Sequence, residues 1–269
     1  MNTIAKQIGV KTIQILNWGF FMIMVATNYL ANAVPFNNKT TGQLSDQYPN
    51  LFVPAGITFS IWGIIYLLLL IFCVKQSKNL FSKSPDPSTN ALVDKIGLRF
   101  VVSCILNSLW ILYWHYEHLF FSILIMLALL ITLIDIVRRI HFLNKNTEIQ
   151  VPGVTKAVFG IYLGWICIAT IANITAILVF FGWNGFGQSE VFWTCLMVMI
   201  GAFIVSITVL NFNNAFIGVS VLWAFIGIII KRIEAPEYQR FIVWVTVFAM
   251  IIVITSIFLE TTKSAFRKA

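Results

Sequence analysis

The chain of 269 residues is 59% hydrophobic, 15% aromatic and only 10% charged, with a mean hydropathy of +0.88. Soluble globular proteins carry about a quarter charged residues, so these proportions exclude an ordinary soluble enzyme and make lipid the solvent for most of the chain. The net charge of +8, from 18 Lys and Arg against 10 Asp and Glu, lies in short connectors between apolar runs. That is the pattern that orients membrane proteins, not one that binds nucleic acid.

Eight apolar runs are long enough to span a bilayer, at about 13–33, 54–74, 100–116, 119–137, 157–182, 191–211, 214–230 and 241–259. None alternates as a barrel strand does, so the chain is predicted to be all-α, a polytopic bundle of about eight transmembrane helices. The first run follows Lys6 and Lys11 and ends at Ala31-Asn32-Ala33, a pattern like a signal-peptidase site. Its length and its Asn17, Asn28 and Asn32 favour an uncleaved helix. Residues 34–53 form the longest outer connector, either a lid over the mouth of the bundle or a tether. Residues 76–96, with Pro85-Asp86-Pro87-Ser88, read as a cytoplasmic linker. The hairpin between the third and fourth runs holds His115, Glu117 and His118, which read as solvated interface groups, with a metal site as the alternative. Asp135 lies one turn before Arg138 and Arg139 and is expected to pair with them.

Placing both termini in the cytoplasm leaves only Lys39, Lys231, Arg232 and Arg240 outside, and puts the other fourteen Lys and Arg, from Lys6 through Lys83 to Arg267 and Lys268, inside. The last two helices depend on a turn at Asn211-Phe212-Asn213-Asn214. The expected location is therefore a bacterial inner membrane, with several passes. Cys73, Cys104, Cys167 and Cys195 all sit in apolar runs and read as buried thiols.

No nucleophile–base pair, phosphate loop or metal motif appears. Aromatic and amide residues at helical spacing remain. Phe59, Trp62 and Tyr66 share one face of the second run, after Pro54 at its first turn; Asn107, Trp110 and Trp114 share one face of the third. Tyr162, Trp165, Ala169 and Asn173 make a third stripe, in which small Ala169 leaves room beside an indole. Together the stripes predict an apolar pocket with a few amide hydrogen-bonding groups, suited to a flat hydrophobic ligand. Taken singly, each residue reads first as packing, an interfacial belt or an interhelical hydrogen bond, and the pocket rests on their conjunction.

These motifs resemble a known family. Phe52-Val53-Pro54-Ala55-Gly56-Ile57-Thr58-Phe59-Ser60-Ile61-Trp62-Gly63-Ile64-Ile65-Tyr66 resembles the second-helix signature of the TspO/MBR family, the tryptophan-rich sensory proteins. Leu106-Asn107-Ser108-Leu109-Trp110 resembles its third-helix LNxxW motif, and Trp165, Ala169 and Asn173 fall at its fifth-helix spacing. The chain departs from the pattern at Ile57, where an aromatic is common, at Ile161, in place of a proline, in a longer first loop and in three further helices. The resemblance implies a TspO-like five-helix core over 1–185 and a three-helix C-terminal extension over 186–269, an extended and divergent member.

It also implies a bound porphyrin, other tetrapyrrole or sterol-like lipid, in a pocket lined by Trp62, Trp110, Trp165, Ala169 and Asn173, supported by Phe59, Tyr66 and Asn107, and covered by loop 34–53. The expected role is that of a sensor or carrier with no required cofactor and no covalent chemistry. The expected partners are membrane lipids, a hydrophobic small molecule and a second copy of the chain, Gly201 and Ala202 permitting close helix contact. Light-dependent porphyrin breakdown beside a redox-active indole, and a ligand-free structural or regulatory membrane subunit, are the two alternative functions.

Overall fold

The computed structural model describes residues 9–82, 84 and 86–266, and among them the secondary structure is helical throughout, with no strand. Lys6, Lys83, Pro85, Arg267 and Lys268 lie outside the described residues. The helices are α1 (Val10–Ala33), α2 (Thr41–Asp46), α3 (Ile61–Ser77), α4 (Pro87–Ile96), α5 (Arg99–His115), α6 (Leu119–Asn146), α7 (Gly153–Phe180), α8 (Glu190–Phe212), α9 (Phe216–Arg232) and α10 (Glu237–Phe266). All eight predicted runs are helices. Six of them are long and apolar enough to cross a membrane alone, α3 being extended at its start by the 3₁₀ turn Gly56–Ser60. The other two, α5 and α9, have 17 residues each, at the short end of the roughly 17–25 that span a bilayer.

The stretch expected to be a linker contains α4. Asp86 caps it by accepting hydrogen bonds from the Ser88 and Thr89 backbone N–H groups, Pro87 fits its first turn, and Leu92, Val93 and Ile96 bury one face. Gly97, at φ 59°, then turns the chain, and α5 leaves at 50° to α4.

Polar residues inside the apolar helices pair across the bundle. Where α1 begins and α3 ends, Gln14 donates to the Gln76 carbonyl at 2.9 Å and Asn17 to Gln76 Oε1 at 2.8 Å, fixing α1 antiparallel to α3. Asp135 pairs with Arg138 at 3.2 Å and Arg139 at 3.0 Å, as its spacing requires, and also with Arg99 of α5. The predicted turn after α8 is present. Asn213 adopts the left-handed conformation at φ 47°, while Asn214 accepts from the Phe216 N–H and donates to the Lys156 carbonyl.

The last three helices dock on the core through small residues. Gly164 of α7 lies against the Ile217 carbonyl and Ser220 of α9, and Gly227 of α9 lies against Thr58 and Pro54 at the start of the α3 segment. Gly201 and Ala202 do permit a close contact, but within the chain: Gly201 faces Ile168 and Ile171 of α7, and Ala202 is fully buried.

Candidate functional site

Because α3, α5 and α7 each carry aromatic residues on one face, their packing brings the three stripes together toward the end of the bundle at which the connector 34–53 lies. The Trp62 ring is the hub. It stacks on Tyr66 at 5.6 Å and Trp110 at 5.9 Å, and meets Tyr162 and Trp165 edge-on at 6.0 and 6.1 Å. Phe59 meets Trp165 at 6.2 Å, and Trp110 stacks on Trp114 at 6.2 Å. Between the rings remains a cavity of about 50 Å³ lined by Phe59, Trp62, Trp110, Trp114, Trp165, Ala169 and Asn173. Thr41 and Ser45 of the connector, Pro54, Ile168 and Ala172 complete its wall.

Two of the residues predicted for the pocket stand behind the wall. Tyr66 backs the Trp62 ring, and Asn107 ties three helices: its Oδ1 accepts from Asn28 of α1 at 2.7 Å, and its Nδ2 donates to the Tyr162 hydroxyl at 2.8 Å. Asn173 lines the cavity, yet its Nδ2 donates to Ser122 Oγ of α6 at 2.9 Å. The amides expected to serve a ligand therefore hold helices. Three of the lining side chains, Trp110, Trp114 and Trp165, have buried indole N–H groups with no hydrogen-bond partner among the described residues. A buried donor left without an acceptor costs ~1–3 kcal/mol. Trp114, which its helix-end position also suggested for an interfacial belt, is only 6% exposed; its spacing of four from Trp110 was the signal for the chamber.

The connector 34–53 folds over the chamber. Thr40 opens α2 with a capping box to Gln43, and Tyr48 packs on Trp114 at 6.0 Å. One edge is latched to the α5–α6 hairpin. Lys39 Nζ donates to Glu117 Oε1 at 2.9 Å, the Tyr48 hydroxyl donates to Oε2 at 3.0 Å, and Thr41 Oγ1 lies 3.1 Å from His115 Nε2. His115 and Glu117 thus hold the connector, and the His118 ring leans on Tyr113 at 6.0 Å. Among the described residues no three His, Cys, Asp or Glu are grouped to hold a metal ion, and the four cysteines are free thiols.

The other edge is held by α9, which nothing local in the sequence foretold. Arg232 donates to the Asn50 and Leu51 carbonyls at 3.0 and 3.2 Å, Lys231 pairs with Asp46 at 3.1 Å, and Trp223 Nε1 donates to the Thr58 carbonyl at 2.9 Å. The Ala55 N–H donates to the Gly227 carbonyl at 3.0 Å.

Hydrogen bonding from Lys39, with a smaller part from Tyr48, holds the Glu117 carboxyl below its ordinary value of 4.5, while burial and the Glu117 charge push the Tyr48 hydroxyl up to about 12. A carboxyl lowered in the folded state stabilises it fully above its unfolded pKa and loses that contribution as pH falls through the folded one. Hydrogen exchange of residues 36–48 should therefore be flat from pH 7 to 9, after correction for intrinsic rates, and the share of the protection due to Glu117 should be lost below about pH 4. Glu117→Gln should remove the acid step; a step of undiminished size in that variant would take the latch away from Glu117.

These features define a class: a multi-pass α-helical integral membrane protein with a lidded, tryptophan-lined chamber near one end of the bundle. A family model described as TSPO-like protein matches residues 14–259, and the chain belongs to that family. The match continues through α8, α9 and most of α10, beyond α3, α5 and α7, in which the motifs lie. No curated protein and no solved structure matches the chain.

Proposed function

We propose that the chain is a receptor or carrier for a flat lipophilic molecule carrying an acceptor atom, of the porphyrin or sterol class, admitted beneath the connector 34–53 to the indole chamber. The carrying observation is the set of three buried, unpartnered indole N–H groups around one hollow. Stacking on Trp62 and Trp110 would supply shape selection, and the N–H groups orientation. Family membership supports the reading, and the Lys and Arg bias of the connectors supports a bacterial inner membrane with cytoplasmic termini.

The hollow of about 50 Å³ is far below the ~300–1,000 Å³ typical of ligand sites, so admission requires the lid and rings to move apart. The same small volume favours a second reading, a structural or regulatory subunit in which the rings are packing. Trp165→Phe and Trp110→Phe separate the two, since each keeps a ring and loses the N–H. Protein in lipid nanodiscs, titrated with protoporphyrin and followed by quenching of its fluorescence, should bind about five- to tenfold more weakly in each variant. Unchanged affinity would remove the N–H groups from the site. No saturable quenching in the parent chain, with a stable partner in a detergent pull-down, would establish the subunit reading; porphyrin bleaching on illumination would show chemistry beyond binding.

A further inference from the structure

A hollow larger than the indole chamber lies elsewhere in the bundle. A cavity of about 450 Å³ lies on the other side of α7, between it and α8, with Ile171, Ile174 and Leu178 on one wall and Met197 on the other. Trp183 and Trp193, their rings 4.9 Å apart, stand at its outer end, where Trp193 Nε1 donates to the Gly185 carbonyl at 2.8 Å. Leu51 and Phe52, at the far end of the connector, also line it. Its volume falls within the range that holds one lipophilic ligand, and its lining is overwhelmingly apolar.

Beside it lies a polar cavity of about 380 Å³ containing Lys231 and Arg232. The two share Pro49, Asn50, Leu51 and Glu190, so an elongated molecule could occupy both. Their cations differ. Lys231 is paired with Asp46, but Arg232, only 8% exposed, donates to the Asn50 and Leu51 carbonyls and to Gln239 Oε1, all neutral, and among the described residues no carboxylate lies within 4.0 Å of it. A buried guanidinium held only by neutral acceptors is completed by an anion, with which it forms its strongest hydrogen bonds. Glu190 on the shared wall is exposed and sits in the first turn of α8, where the helix terminus favours its charge; its field reaches Arg232 without forming an ion pair.

We infer that these paired cavities bind a single-chain anionic amphiphile, its apolar chain between α7 and α8 and its carboxylate or phosphate end toward Arg232. This site is separate from the indole chamber and does not depend on the function proposed for it. The full chain in nanodiscs of zwitterionic lipid, photolabelled with a diazirine-bearing fatty acid, should carry label on residues 171–178 and 190–197. A fatty acid or a lysophosphatidate of equal chain length should compete, and the stronger of the two identifies the head group. The matching alcohol and alkyltrimethylammonium should compete about tenfold less well.

Glu190→Gln, at an exposed position, should tighten fatty-acid competition several-fold, and Arg232→Gln should weaken it at least about fivefold. Arg232→Gln also removes a support of the connector, so Met197→Trp, which fills the apolar cavity, provides an independent check: it should abolish the label while leaving porphyrin quenching unchanged. Label spread evenly over all lipid-facing helices, equal competition by the alcohol or the ammonium, or weaker competition in Glu190→Gln would each overturn the assignment.

Discussion

Gly164→Ala should be among the most destabilising single methyl additions in this protein. A Cβ at that position would lie 2.1 Å from the Ile217 carbonyl oxygen and 2.3 Å from Ser220 Oγ, and a backbone oxygen in a helix cannot rotate aside. Accommodation requires α7 and α9 to separate, which lifts α9 from the Pro54–Thr58 segment and from the connector it holds. Overpacking of this kind typically costs ~1–3 kcal/mol and sometimes more. The loss should appear as a shift of the unfolding midpoint in mixed micelles to lower dodecyl sulfate. Gly63→Ala is the control: nothing lies within 4 Å of its added Cβ, and alanine favours helix by ~1 kcal/mol, so it should be neutral or mildly stabilising. Equal midpoints for the two variants would contradict the close approach of α7 and α9.

Trp62→Leu is expected to affect both stability and binding. The indole makes four aromatic contacts, at 5.6 to 6.1 Å, with side chains from all three stripe-bearing helices. Each such pair contributes ~0.5–1.5 kcal/mol beyond area burial, so the unfolding free energy should fall by about 2–3 kcal/mol for a ring that is only partly enclosed. Protoporphyrin affinity should fall more than about tenfold, because the platform on which a flat ligand stacks is removed. Trp244→Leu tests whether tryptophan loss alone is responsible. That side chain is 72% exposed on α10, in the manner of an interfacial or lipid-facing residue, and its removal should change neither quantity. If Trp62→Leu lowers stability but leaves saturable quenching at parental affinity, the hub is packing alone and the ligand lies elsewhere.

The Glu117 latch and the two hollows on either side of α7 give the connector 34–53 a double role. Its residues 41–45 cover the indole chamber, while 49–52 border the larger apolar cavity. Both edges are fixed by side chains from helices outside the connector: His115 and Glu117 at the start of the α5–α6 hairpin, and Lys231 and Arg232 at the end of α9. Helix α9 is therefore part of the architecture of the mouth.

The spacing of Phe59, Trp62 and Tyr66, of Asn107, Trp110 and Trp114, and of Trp165, Ala169 and Asn173 showed which residues share a helix face, because 3.6-residue periodicity is local. It could not show that Asn107 would meet Asn28, 79 residues away, and Tyr162, or that Asn173 would meet Ser122, so amides that looked available to a ligand proved to be engaged. The pairing of Asp135 with Arg138 and Arg139 was legible from its i, i+3 and i, i+4 spacing, and that with Arg99, 36 residues away, was not. Helix α4 was missed because a ten-residue amphipathic segment beside Asp86 and Pro87 resembles a polar linker until its apolar face has something to cover.

Composition and periodicity thus determined by themselves that this chain lives in lipid, that its spans are helices and which side of each carries the indoles, since these follow from the solvent and from the pitch of one helix. The packing of α9 against α7 and of the connector against both ends of the mouth decided that the indoles line one small hollow, that three of their N–H groups lack acceptors among the described residues and that a larger cavity opens behind α7. Those properties belong to surfaces assembled from residues far apart in the chain, and exist only once the helices have chosen their neighbours.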